Sequence, residues 1–202
     1  MGVVKLSTAG ILDYSKTSNF LSGNAPVSFG AFDLLETQTL ASSASSVTFT
    51  GLGSYSDYKH LQIRATGRSA RADTGSEALL ITLNGDTGSN YAWHRLRGFN
   101  YSVSSAAGSA QTAINLDRLM PNNNEASGIF GSAVIDFLDF SSISKNTTLR
   151  ALAGANPAGA NPTIGLFSGL YNSTSAVTSI TLQVAFGFNL TAGSRFSLYG
   201  VK

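Results

Sequence analysis

Two acidic triplets are the first residues whose types suggest catalysis. Asp73-Thr74-Gly75 and Asp86-Thr87-Gly88 share the form of the aspartic-protease triplet, in which two carboxylates hold one proton and act as acid and base. That chemistry needs each Asp on a loop between buried apolar strands. Here the copies lie only thirteen positions apart, and the first follows the polar run Arg68-Ser69-Ala70-Arg71-Ala72. Asp, Thr and Gly in this order are turn formers, and turn chemistry accounts for both. Asn84, Asp86, Ser89 and Asn90 offer oxygens of a kind suited to Ca²⁺. The EF-hand spacing and its bidentate Glu are missing, so Asx turns are favoured for the Asn84–Asn90 loop. His60 and His94 are isolated, Cys is absent, and no G-x-S-x-G elbow occurs. The expectation is a protein without enzymatic activity, cofactor or metal.

Arg64, Arg68, Arg71, His94, Arg95, Arg97 and Lys59 gather positive charge around residues 59–97, interleaved with Tyr91, Trp93 and Tyr101. Arginines beside aromatic rings suit a glycan or nucleic-acid platform. A net charge of only +2 argues against nucleic acid, where phosphate neutralisation dominates affinity. Asn90, Tyr91, Trp93 and Arg95 are therefore the candidate contacts to a glycan or another partner. The aromatic residues would stack on a sugar ring, while Asn90 and Arg95 bond its hydroxyls.

The element that positions these residues is Ala78–Arg97, ALLITLNGDTGSNYAWHRLR. A short apolar run, a seven-residue turn cluster and a second aromatic-rich run read as a long β-hairpin. Strand signals continue on both sides. Tyr58–Thr66 alternates, with Leu61, Ile63 and Ala65 on one face and His60, Gln62 and Arg64 on the other. Phe99–Ala113 reads as an exposed connection with a poorly defined edge strand. Ser127–Phe140 is apolar on both faces, as expected of an inner strand or of one at a subunit interface. Thr163–Tyr171, Ala176–Phe188 and Ser194–Val201 complete the series, with Thr178, Ile180, Leu182, Val184 and Phe186 sharing one face.

No window of helical length carries apolar residues at i, i+3, i+4 and i+7. The fold class expected is all-β, an antiparallel β-sandwich of jelly-roll type over residues 31–202. Residues 1–30 carry only scattered apolar residues and read as an extended N-terminal docking arm. Its anchors would be Val4, Ile11, Leu12, Tyr14, Phe20 and Leu21. No segment reaches the ~18 apolar residues that span a bilayer, so membrane insertion is not expected. Charged residues make up 12% of the chain, against about 25% in soluble domains, a surface suited to packing against neighbours.

Several stretches resemble virion proteins of tailed bacteriophages, especially small fibre, decoration and appendage proteins of marine phages. They include AFDLLETQTL (31–40), VTFTGL (47–52), YKHLQIR (58–64), NGDTGSNYAWH (84–94), KNTTLRALAG (145–154), SGLYNSTSA (168–176) and GSRFSLYGVK (193–202), with FLSGN (20–24) in the arm. The resemblance implies a β-sandwich, a location in the virion after assembly in the host cytoplasm, and oligomers, often trimers. It brings no catalytic residues. The expected partners are further copies of the chain as a homotrimer, other capsid or tail proteins and, in an alternative reading as a receptor-binding tail-fibre tip, a host surface glycan.

Overall fold

Alternation of apolar and polar side chains builds strands along nearly the whole of residues 31–157 and 162–202, the parts described by this computed structural model. Twelve strands form among the described residues: β1 (Phe32–Thr39), β2 (Ser46–Phe49), β3 (His60–Gly67), β4 (Ser76–Leu83), β5 (Tyr91–Phe99), β6 (Ser102–Gln111), β7 (Ile114–Pro121), β8 (Gly131–Leu138), β9 (Thr147–Ala155), β10 (Thr163–Tyr171), β11 (Ile180–Val184) and β12 (Arg195–Val201). They make two antiparallel sheets. One has eight strands, ordered β1-β12-β3-β8-β9-β10-β5-β6, and the other has four, ordered β2-β11-β4-β7.

The jelly roll is visible in that order. The small sheet β2-β11-β4-β7 is one of its halves, and β3-β8 with β5-β6 supply the other. The β9-β10 hairpin is inserted between β8 and β5, and β12 with β1 extends the large sheet beyond β3. The sandwich is therefore lopsided, and its large sheet reaches past the small one at both edges.

The core lies between the sheets. Leu61 and Ile63 of β3, Ile135 and Phe137 of β8 and Leu149 of β9 face Leu79 and Ile81 of β4, Ile114 of β7 and Leu182 of β11, all without solvent exposure. Each such side chain contributes about 1.5–3 kcal/mol on burial. The sheets come closest near β7. There Gly131 pairs with Gly67 across β8 and β3, and a Cβ on Gly131 would lie 1.7 Å from the carbonyl oxygen of Leu119.

Two expectations need correction. The first is the hairpin, because β4 pairs with β11 and β7 while β5 pairs with β10 and β6. The Asn84–Asn90 loop therefore carries the chain from one sheet to the other. The Tyr91 hydroxyl caps the end of β4 where β7 no longer pairs with it. It accepts from the Leu83 N–H at 2.9 Å and donates toward the Leu83 and Asp86 carbonyls. Asn84 meanwhile ties the loop toward β11, its Oδ1 accepting the Thr178 N–H at 2.7 Å.

Second, β11 ends at Val184, so Phe186 leaves the core at a φ of 59° and stands 82% exposed. The edge strand expected within Phe99–Ala113 runs over residues 102–111. β8 is an inner strand of the large sheet, with Ala133, Ile135 and Phe137 buried and Val134 outward. The expected docking arm, residues 1–30 with anchors Val4, Ile11, Leu12, Tyr14, Phe20 and Leu21, lies outside the described residues.

Candidate functional site

The large sheet presents an outer face that no other described element covers. Strand register fixes which side chains meet there. Leu96 of β5 stands opposite Leu166 of β10, Leu166 opposite Leu152 of β9, Leu152 opposite Val134 of β8, and Val134 opposite Arg64 of β3. Ile164 lies two residues from Leu166 on the same face. These five aliphatic side chains are 40–61% exposed, a stripe running across four strands. Leu96, Leu166, Leu152 and Val134, together with His94 and Arg150, line a shallow groove of about 530 Å³.

A polar row runs alongside the stripe, displaced by two residues. Arg150 donates from Nε to Asp136 Oδ2 at 2.8 Å, and Gln62 donates from Nε2 to Asp136 Oδ1 at 2.8 Å. Arg64 donates from Nε to Gln62 Oε1 at 3.0 Å, and its guanidinium lies 4.5 Å from the centre of the Tyr199 ring. This chain of charge-assisted bonds crosses β9, β8, β3 and β12. It holds the outward charges in place, so the face is rigid before anything binds.

Strand parity puts three of the residues expected to meet a glycan, Tyr91, Trp93 and Arg95, on the inward side of β5. Tyr91 is buried at 1% exposure, with its ring stacked on Tyr171 at 5.0 Å, so the expectation that it offers its ring to a ligand is corrected. Burial pushes its hydroxyl pKa up to about 12. Trp93 is partly buried and packs on the core edge, against the bare backbone of Gly108 on β6. Arg95 lies on the same inward side and is paired, together with Arg97, to Asp117 of β7. Asn90 is exposed, but its amide donates to Asp86 Oδ2 at 2.8 Å.

The oxygens of the Asn84–Asn90 loop are likewise engaged within the protein. Asp86 accepts from the Asn90 amide, the Gly88 N–H at 2.7 Å and the Tyr171 hydroxyl at 3.0 Å. The bonds from Asn90 and Gly88 hold its carboxyl below the usual carboxylate range. Asp86 thus braces the crossover. No group of three or more His or acidic side chains suited to a metal occurs among the described residues.

The basic cluster read from the sequence is dispersed over four environments. Arg64 and His94 belong to the outer face, Arg95 and Arg97 to the Asp117 pair, and Arg71 to Asp73 and Glu77. Arg68 is 6% exposed and meets no carboxylate among the described residues. Its Nη1 donates to the Ala126 and Ile129 carbonyls at 2.7 and 3.1 Å, and its Nη2 to those of Asn123 and Glu125 at 2.9 and 2.6 Å. It is a staple for the loop between β7 and β8, a role with no periodic signal in the sequence.

Comparison with protein-family models, curated proteins and solved structures gave no match to this chain.

Proposed function

We propose that the chain is a non-enzymatic structural subunit of a bacteriophage particle. It decorates or cements the virion, or forms a small head or tail appendage, and it assembles as a homotrimer through the outer face of its large sheet. The observation that carries the assembly reading is the stripe of Leu96, Leu166, Leu152, Val134 and Ile164 on that face. Contiguous apolar patches of this kind mark interaction surfaces. The virion location rests on the resemblance of the stretches quoted above, with which a jelly roll is consistent.

Magnitudes set the strength expected. A half-exposed Leu or Ile retains about half of its transfer free energy, roughly 1 kcal/mol, so the stripe offers about 5 kcal/mol per face. Losing translational and rotational freedom costs about 4–15 kcal/mol. Association therefore depends on concentration and on the ordered Arg150–Asp136–Gln62 row that frames the stripe.

Sedimentation of the full chain tests this. The expected species is a trimer of 21.0 kDa chains at tens of micromolar. Leu152→Glu, in the middle of the stripe, should weaken association about a hundredfold, or ~2.7 kcal/mol. A wild type that stays monomeric at this concentration, or a Leu152→Glu variant that assembles normally, refutes the interface. Mass spectrometry of purified particles tests the virion location, and absence of the chain from them refutes it.

A further inference from the structure

The small-sheet side holds a second feature, independent of the outer face. The register of β4 against β7 breaks between Glu77 and Leu79, and β7 bulges there with Arg118 at a φ of 55°. Opposite the bulge is the turn after β11, where Phe186 is held at a φ of 59° with its ring in solvent. Between them lies a cleft of about 400 Å³. Left-handed backbone is strained at a non-glycine residue, and both walls carry such a residue.

The cleft also concentrates unmade hydrogen bonds. Ser76 Oγ, Asn115 Oδ1 and Asn122 Oδ1 are buried without a partner among the described residues, and all three residues line it. Ser76 and Asn122 are 9% and 2% exposed. Buried polar atoms are rarely left unpaired, and three on one cleft require an explanation.

Charge decides the kind of ligand. Arg71 is already compensated by Glu77 and by Asp73 at 3.2 Å, and Asp117 by two arginines. Arg118 lies over the Phe99 ring at 4.4 Å. The cleft is close to neutral and offers planar amides, a hydroxyl and carboxylate oxygens below one exposed aromatic ring. Amides and hydroxyls bond the hydroxyl groups of a sugar, and an aromatic face covers its apolar C–H side.

We infer that the cleft between the β4–β7 bulge and the Phe186 turn binds a neutral sugar unit of a glycan, such as a hexose or N-acetylhexosamine. Phe186 stacks on the ring while Asn115, Asn122 and Ser76 bond its hydroxyls and take up the unpartnered atoms. The site lies on different elements from Trp93, and it leaves the outer face of the large sheet free for assembly.

The test is a glycan array of neutral, sulfated and uronic-acid glycans, followed by saturation-transfer NMR with the corresponding methyl glycoside. Phe186→Gly removes the ring and relieves the backbone, so its melting temperature should hold or rise while affinity falls about tenfold. Asn115→Ala should weaken binding by a similar factor. The inference is overturned if no neutral glycan binds, if only sulfated or uronic glycans bind, or if both cleft variants bind normally. Loss on Trp93→Ala with both cleft variants unaffected also overturns it, placing the contact on β5.

Discussion

Replacing Arg68 tests a concentrated set of polar contacts. Four backbone carbonyls of the Asn122–Gly131 segment converge on its guanidinium. Arg68→Met keeps much of the volume but leaves the Asn123, Glu125 and Ile129 carbonyls without a donor, while Ala126 keeps the Ile129 N–H at 3.4 Å. At about 1 kcal/mol for each unsatisfied carbonyl, the loss is about 3 kcal/mol. A domain of this kind has about 5–15 kcal/mol in total, so the variant forfeits a large share of its stability. Arg68→Lys retains the charge, but its single ammonium has three donors and no fork, so about half of the loss should remain. Urea unfolding followed by the fluorescence of Trp93, the only tryptophan, measures both variants. Hydrogen exchange should show protection lost first at residues 122–130, because the staple acts on that loop. An Arg68→Met variant within 1 kcal/mol of wild type, with unchanged protection at 122–130, would refute the reasoning.

Gly131→Ala should cost about 3 kcal/mol or more, because the new Cβ meets the Leu119 carbonyl and the backbone itself must move. Gly53→Ala, with nothing within 4 Å of its Cβ position, should be neutral in the same urea titration. A third prediction concerns alkaline pH. The Tyr91 hydroxyl pKa is raised to about 12 in the fold, so its contribution is complete below the unfolded value near 10 and is lost as pH rises through 12. That shift corresponds to about 2–3 kcal/mol. Stability measured from pH 9 to 12 should therefore fall more steeply in wild type than in Tyr91→Phe, and equal slopes would sink the assignment.

Local patterning carried the strands. The alternation of Leu61, Ile63 and Ala65 predicts the buried face of β3, and Thr163–Tyr171 has the bounds expected of β10. Pairing was less legible. Asn-Gly between two apolar runs is the usual hairpin signal, yet Tyr91 fills the place of the partner strand and β4 finds its neighbours in β7 and β11. The outer stripe was illegible for another reason. Each of its residues is an apolar side chain at an outward position, but their alignment depends on the register of strands far apart in sequence. Val134 was visible as part of a two-sided apolar strand, whereas Leu96 and Leu166 gained meaning only once β9 and β10 lay between β8 and β5. The Arg68 staple and the Phe186 turn break periodicity, so the sequence placed one in a basic cluster and the other on the apolar face of a strand.

The position of β12 between β1 and β3 bears on how the chain is made. Thr37 and Ser197 share a 3.0 Å hydrogen bond across 160 residues of sequence. A ribosome adding about 5–20 residues per second needs roughly 8–30 s to cover that distance. During this interval β1 has emerged without a partner, and the β3 edge that will receive β12 stays open. The nascent chain therefore passes through a state with an uncovered apolar edge, whatever the final stability. Yield from cells should depend on how long that state lasts, through translation rate and chaperone supply, more than on the strength of the finished core.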